Sequence, residues 1–502
     1  MKHLSLLLIL LLSSFIGFTQ VKVHTLDGMS VSTSSPEAFE EIKKGQASLD
    51  FDNQLQALEH FNKAIEQDKD CAMAYYLKSM ALRNEGRSPA EIKESLDKAV
   101  AAANTASEME QLFIKSQKAW HDEGAPAALA IKKDIIDKYP ACRQALVEVA
   151  YLEQGMGNFK EARETMKTVI EKYPDSHLYL SMADFYQYGL PKDAEKAQKY
   201  TDIFITKFPE DYRGHLTKGK HFKSNGELER ALAAFDKADN LNPLEKNILN
   251  QIAEVNTFLG NYDAARDSYN QLIDISDNTD KLRFKSQLVN INFYQGNADK
   301  GLMELENLAA SIGQFNLPKD QANLEQIITY YDYITAALEL KKFEQASAKM
   351  MQMNKHIEKY AKDIGAKGDM ALWLSSFPHY FEGLLAAKKG NTELAWQKAD
   401  KVRAMMSASS NPHKFEDCDY LSGISALMEK DYDKCLQFLE KVNPNDVTNN
   451  YYKAMAYEQK GDTEQAEKLY KKVVNYNSNN INYAMVRNKA LMKLEMGVSS
   501  KD

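Results

Sequence analysis

Four stretches of the chain share one pattern of small, large and polar positions. GNFKEARETMKTVIEKYP (157–174) and GELERALAAFDKADNLNP (226–243) align without a gap, and GNYDAARDSYNQLIDISD (260–277) and GDTEQAEKLYKKVVNYNS (461–478) fit the same frame. In each, a glycine is followed five residues later by alanine: Gly157/Ala162, Gly226/Ala231, Gly260/Ala265 and Gly461/Ala466. A large side chain comes four residues after that (Met166, Phe235, Tyr269, Tyr470). Gly390/Ala395 repeats the pair more weakly, and Gly296/Gly301 keeps the spacing with glycine for alanine. Prolines recur at Pro140, Pro174, Pro209 and Pro243, at intervals of 34, 35 and 34 residues. A generic helical bundle would not produce such a ladder, whereas stacked copies of one supersecondary unit do.

Each position has a physical reason. Glycine lets a first helix end in a left-handed turn without a Cβ clash. The small residue lets a second helix approach the first closely, and the large one fills the groove a turn later. Proline ends the second helix because it brings no backbone donor. The pattern therefore predicts paired helices, repeated about every 34 residues.

These residues resemble the tetratricopeptide repeat (TPR) family. The stretch ending at Pro243 carries Gly219, Phe222, Ala231, Phe235, Ala238 and Pro243 at the family's small, aromatic and proline positions. The stretch around Ala466 carries Ala454, Tyr457, Ala466, Tyr470 and Val473. The tryptophan common near the start of the family's repeat is mostly aliphatic here, and several repeats lack the proline. Phase places further repeats around Ala57/Phe61/Ala64, Ile92/Leu96/Ala99, Ala128, Ala197, Gly301, Ala346, Ala395 and Cys435. The resemblance implies an all-α, TPR-type α-solenoid: a right-handed superhelix of about 12 antiparallel helix pairs over 36–478, with a capping helix at 481–497. The spacing breaks around NLPKDQ (316–321), and the next helices, about 320–340 and 343–364, look longer than usual. The expected organisation is a first array over 36–312 and a second over 313–502.

Composition agrees with helix. The 22 glycines and 12 prolines in 502 residues fall below average usage of about 7% and about 5%, which argues against a many-stranded sandwich or barrel. Hydrophobic residues at 44% and aromatics at 10% argue against disorder over the whole length. The formal net charge is −8, mixed in sign along the chain, with no footprint for a nucleic-acid backbone.

The first residues, MKHLSLLLILLLSSFIGFTQ, have the form of a signal peptide. Lys2 is a short basic region, Leu4 to Phe18 an apolar run, and Gly17 and Thr19 are small residues before a cut at Gln20. Residues 1–19 are expected to be removed, and 20–35 to form a flexible linker. The expected location is outside the cytoplasm, periplasmic or secreted, as an exported bacterial member of the family. No cysteine stands at the cut site and no later segment has eighteen continuous apolar residues, so neither a lipid anchor nor a membrane span is expected. Export permits disulfides, but spacing favours free thiols at Cys71, Cys142, Cys418 and Cys435; a bridge between the last two stays open.

Motifs for chemistry are missing. No HExxH, Cys-x-x-Cys, GxxxxGK[ST] or GxSxG occurs. No catalytic residue, metal or cofactor is expected.

In TPR proteins partners usually lie along the concave surface lined by first helices. Phase puts one such position on Val147, Leu216, Asn250 and Ser286 in the first array, and on Tyr331, Tyr380, Tyr420 and Tyr451 in the second. Neighbouring positions add Phe377, Phe381 and Tyr452, with Asp332 as a polar neighbour. Two readings stay open: these aromatics are core residues in a register shifted by one, or they form an apolar groove with hydroxyl handles. The second implies a scaffold for a protein or peptide partner. The alternatives are a glycan-binding solenoid, because rings in a row stack on sugars, and a regulatory subunit of a separate enzyme. The residues that capture a peptide carboxylate in chaperone-adaptor TPR domains are not supplied by any three consecutive repeats here.

Overall fold

The computed structural model describes residues 21–50, 53–85, 87, 89–174, 177–409, 411 and 413–497; the expected leader over 1–19 lies outside the described residues. The described chain begins with a β-hairpin, β1 (Lys22–Leu26) and β2 (Met29–Thr33). Helices then follow in pairs. In chain order these are α1 (Pro36–Asp50) with α2 (Gln54–Gln67), α3 (Ala72–Asn84) with α4 (Pro89–Ala102), and α5 (Glu108–Glu123) with α6 (Ala125–Lys138). Next come α7 (Arg143–Gly155) with α8 (Phe159–Lys172) and α9 (Leu178–Tyr188) with α10 (Ala194–Lys207). The pairs continue as α11 (Tyr212–Ser224) with α12 (Leu228–Leu241), α13 (Lys246–Leu259) with α14 (Tyr262–Ile275), and α15 (Asn278–Tyr294) with α16 (Ala298–Ser311). They end with α17 (Lys319–Glu339) and α18 (Phe343–Asp363), α19 (Gly368–Lys388) and α20 (Thr392–Met406), α21 (Glu416–Met428) and α22 (Tyr432–Leu439), and α23 (Val447–Gln459) and α24 (Thr463–Val474). A single helix, α25 (Ile481–Glu495), follows. The fold is thus an all-α solenoid of twelve helix pairs and a terminal helix among the described residues.

The residues singled out in the repeat perform as their chemistry requires. Gly157, Gly226, Gly260, Gly390 and Gly461 all have positive φ, between +80° and +84°. Lys341 (φ +58°) and Lys430 (φ +63°) stand at the same offset before Ala346 and Cys435 and adopt the same left-handed turn, at a cost of about 1–2 kcal/mol each. The turn is demanded by the pairing and is kept even where glycine is missing. α6, α8, α10 and α12 each stop two residues before Pro140, Pro174, Pro209 and Pro243. Ala162, Ala231, Ala265 and Ala466 are fully buried, as are Met166, Phe235, Tyr269 and Tyr470 four residues on.

Two expectations are corrected. Within the segment expected as a linker over 20–35, residues 22–33 form a hairpin: KVHTL and MSVST pair in antiparallel register across Asp27-Gly28. Both turn residues have positive φ (+47° and +78°), which Asp-Gly supplies at low cost. Met29 and Val31 are buried, and the Ser32 amide donates to Glu110 Oε1 at 2.8 Å. Gly28 also lies so close to Ala141 that a Cβ would meet its carbonyl oxygen at 2.1 Å.

The second correction concerns the boundary. The chain divides into compact units at Pro209/Glu210, not at 312/313. α16 runs into a 3-10 turn, Ile312–Phe315, whose Ile312 is buried with Leu282 and Leu308. The stack therefore continues from α16 to α17 inside the second unit. The first unit holds the β-hairpin and α1–α10, and the second holds α11–α25. α17 and α18, expected to be long, have 21 residues each. No helix among the described residues is long and apolar enough to cross a membrane.

The pairing gives a direct test. A Cβ on Gly219 would lie 2.4 Å from the Phe235 ring. Gly219→Val is expected to destabilise the second unit by about 1–3 kcal/mol through overpacking, read as a lower urea midpoint. An unchanged midpoint would contradict the close approach.

Candidate functional site

In the second unit the terminal helix decides which surfaces remain open. The cap expected at 481–497 is present as α25, but it covers more than α24. It also packs on α15, α17 and α23, the first helices of three pairs. Ile481, Tyr483, Ala484, Met485, Val486 and Ala490 are all buried. The Tyr483 ring meets Phe258 and Tyr294 edge-on, with centroids 5.3 and 6.1 Å away.

Polar contacts fix this segment. Carbonyls in the last turn of an α-helix lack an intrahelical donor, and side chains from 477–488 approach three of them. Asn477 Nδ2 donates to Lys223 O at 2.9 Å, Arg487 Nη2 to Phe258 O at 2.9 Å and Asn488 Nδ2 to Tyr294 O at 2.8 Å. Asn479 is held three ways: its amide N–H donates to Glu254 Oε1 (3.0 Å), and its Nδ2 to the Tyr269 hydroxyl (2.8 Å) and Gln287 O (2.9 Å). Two ion pairs complete the attachment, Lys489–Glu339 at 2.9 Å and Lys493–Glu458 at 2.7 Å. Glu339 also pairs with Lys388 at 2.8 Å and accepts from the Tyr452 hydroxyl. Burial alone would raise the Glu339 carboxyl, but Lys388 and Lys489 outweigh it and hold it at about 2.

The aromatics of the second half form two clusters of rings, one of Tyr331, Phe377, Tyr380 and Phe381 and one of Tyr420, Tyr451 and Tyr452, and the two readings of them divide. Phe377, Phe381, Tyr451 and Tyr452 are buried. Phe377 stacks near Tyr331 (6.4 Å), Tyr451 packs on Tyr470 (5.9 Å), and Tyr452 reaches Glu339. Asp332 does not accompany the tyrosines. It points to α15, where the Ser286 hydroxyl donates to it at 2.9 Å, and burial pushes its carboxyl up to about 7. Tyr331, Tyr380 and Tyr420 are partly exposed and line a cavity of about 230 Å³, with Phe381 in its wall. Asp332, Phe377, Tyr451 and Tyr452 do not line it, because neighbouring positions on a helix point to different faces.

The first unit has a larger cavity, about 490 Å³, on its first helices. Met80 and Arg83 of α3, Gln117 and Trp120 of α5, and Gln144, Val147 and Tyr151 of α7 line it. Trp120 is 37% and Tyr151 49% exposed. The Arg83 guanidinium lies 5.1 Å from the Trp120 ring centroid and 3.5 Å from Gln117 Oε1. Arg83 has no carboxylate partner among the described residues, whereas Arg143 is paired with Asp50 at 2.9 Å and Lys132 with Glu148. Phase had pointed to Val147 alone. Tyr151 falls one turn beyond that position and Trp120 two turns beyond its equivalent, Phe113, so reading one site per repeat passes over them.

All four cysteines are buried and unbridged. Burial raises each thiol, Cys71 and Cys435 to about 12 and Cys142 and Cys418 to about 11, which leaves them unreactive as nucleophiles. Among the described residues no group of three or more His, Cys, Asp or Glu could hold a metal ion.

Comparison with known proteins places the same repeats. Profiles described as tetratricopeptide repeat match residues 42–107, 144–176, 247–279 and 426–490. A TPR repeat-containing protein of Methanocaldococcus jannaschii is 24% identical over 265 residues, 51% of this chain and 45% of that protein. The match thus spans less than half of that relative. Similar solved structures include a tetratricopeptide repeat protein from Parabacteroides merdae, at 15% identity over 49% of this chain and 93% of that one, with a TM-score of 0.36. Another is PilW, a widely conserved type IV pilus biogenesis factor, at 18% identity over 41% of this chain and 94% of that one, with a TM-score of 0.33.

The ionic attachment of the terminal helix has a pH signature. A carboxylate with a lowered pKa stabilises the fold above its unfolded value, and that contribution is lost as pH falls through the folded value. Glu339→Gln is expected to cost about 2 kcal/mol at neutral pH, because it leaves the largely buried Lys388 and the more exposed Lys489 short of a partner. The gap from wild type should narrow as urea titrations move from pH 7 toward pH 3. An equal gap at both would show that the charge is not what counts.

Proposed function

The chain belongs to the tetratricopeptide repeat family, whose repeats serve protein interaction, and we propose that it is a non-catalytic scaffold in the cell envelope. Its partner is an extended protein segment held on the first helices of the repeats. The observation that carries this reading is the cavity of the first unit. It combines exposed rings, Trp120 and Tyr151, with a guanidinium, Arg83, that lacks a carboxylate. Aromatic and arginine side chains in such settings supply most of the energy at protein interfaces. The partner segment carries an acidic side chain for Arg83, beside an apolar one for the Trp120 face.

In the second unit the same reading assigns Tyr331, Tyr380 and Tyr420 to partner contact. Phe377, Phe381, Tyr451 and Tyr452 then act by holding those three in place. Location rests on the leader over 1–19, with its basic start, apolar run and small residues before Gln20.

Capture experiments test the scaffold. Full-length protein should retain an envelope protein that Arg83→Glu or Trp120→Ala loses by about tenfold or more in affinity, the range of an interface hot spot. Equal retention by both folded variants would remove the first unit's cavity from the reading. Amino-terminal sequencing of protein recovered from the envelope fraction should begin at Gln20. A chain that keeps Met1 would remove the envelope assignment.

A further inference from the structure

The cavity of the second unit has a charge pattern that names its ligand more closely. It lies among α17, α19, α21 and the start of α23, with Asn482 of α25 reaching it. Besides Tyr331, Tyr380 and Tyr420, its lining includes Glu416, Asp417 and Asp446. Lys388 is also there, but its ammonium is committed to Glu339 (2.8 Å) and the Tyr452 hydroxyl (2.7 Å).

The three acids lack any such partner. Asp446 accepts from the Asn449 amide (2.6 Å) and the Thr448 hydroxyl (2.7 Å), and Asp417 from Trp373. Those bonds orient the carboxylates and leave their charge in place. Among the described residues the Glu416 carboxylate meets His413, at 2.7 Å on the exposed side. Among the described residues no lysine or arginine lies within ion-pair distance of the three. Burial and then the Glu416 charge raise the Asp417 carboxyl, a shift that a bound cation would oppose. The Tyr380 phenol is held well above its usual value by burial, then by Tyr420 and Asp417, so its ring and hydroxyl stay neutral.

We propose that this cavity binds a primary ammonium or guanidinium on a short aliphatic stem, either a Lys or Arg side chain of a partner or a free alkylamine. Tyrosine faces attract cations, the carboxylates supply the counter-charge, and Phe381 and Leu384 offer apolar wall to methylenes. At about 230 Å³ the space is below the roughly 300–1,000 Å³ of sites for drug-sized ligands, and suits a single side chain. A neutral sugar would stack on the rings but leave the carboxylates uncompensated. The assignment rests on Tyr331, Tyr380 and Tyr420 being binding residues and is independent of the first unit's cavity.

Isothermal titration of the full chain provides the test, with 1,5-diaminopentane, Nα-acetyl-lysine amide, Nα-acetyl-arginine amide, Nα-acetyl-norleucine amide and glucose as probes. Saturable one-to-one binding of at least one cation is expected, weakened by high salt, with none for norleucine amide or glucose. Asp417→Asn should weaken it about tenfold, as loss of a charge-assisted contact does. Tyr380→Leu, which keeps apolar bulk, should weaken it as well and serves if Asp417→Asn does not fold. Diamine binding as tight as the capped amino acids assigns a free amine; binding of the capped amino acids alone assigns a partner side chain. Equal binding of norleucine amide or glucose, no cation binding, or full affinity in a folded variant overturns the proposal. If no cation binds but Tyr380→Leu loses a captured protein, only the ligand chemistry falls. If no cation binds and capture is unchanged, the tyrosines fall as binding residues too.

Discussion

Everything in this solenoid depends on how closely two helices of a pair approach. At Gly219 the distance to Phe235 leaves no space for a Cβ, and fully buried alanines play the same part at 162, 231, 265 and 466. Close approach lets one ring fill the groove, so a pair of short helices forms a tight wedge. Such a wedge buries one side internally and needs a neighbour for the other. Stacking settles two sides of each pair but leaves the first helices facing outward along one surface. The two units treat that surface differently: α25 covers much of it in the second, while the first retains a cavity with exposed rings.

Both units also place an ion pair beside that surface, buried in the first and largely buried in the second. Lys132 and Glu148, joined by the Tyr76 hydroxyl, do so in the first unit, and Glu339 with Lys388 and the Tyr452 hydroxyl in the second. Removing charges from water is costly, so such pairs add less to stability than to geometry. Here each joins helices from different repeats, Lys132 of α6 to Glu148 of α7 and Glu339 of α17 to Lys388 of α19. A tyrosine hydroxyl from a third element fixes each carboxylate. The pairs act as registration points between repeats whose apolar contacts are nearly interchangeable.

Much of this was legible in the sequence because the repeat is local. The Gly-to-Ala offset, the prolines and the long helices after 318 all report contacts within one pair. The linker expected over 20–35 holds a hairpin signal, Asp27-Gly28 between two short alternating stretches, which lies outside the helical period that marks the repeats. The division at Pro209/Glu210 leaves no trace, since the proline spacing runs through it unbroken. Among the candidate residues, phase along a helix brought Tyr331, Tyr380 and Tyr420 to one surface. It could not show that Asp332 turns to Ser286, or that Asn477 to Lys493 return to helices up to 254 residues earlier.

That return has a consequence for the order of events. Contacts between neighbouring repeats join residues tens of positions apart and can form as soon as a pair is made. Those of the terminal segment join residues about 35 to 254 apart, and such long closures slow folding. During synthesis α11–α24 therefore exist for a time as a stack with its inner surface uncovered and Glu339 short of one lysine. A ribosome-bound chain presents a different surface from the finished one. The second unit has two histories of exposure, while the first, completed by residue 209, has only one.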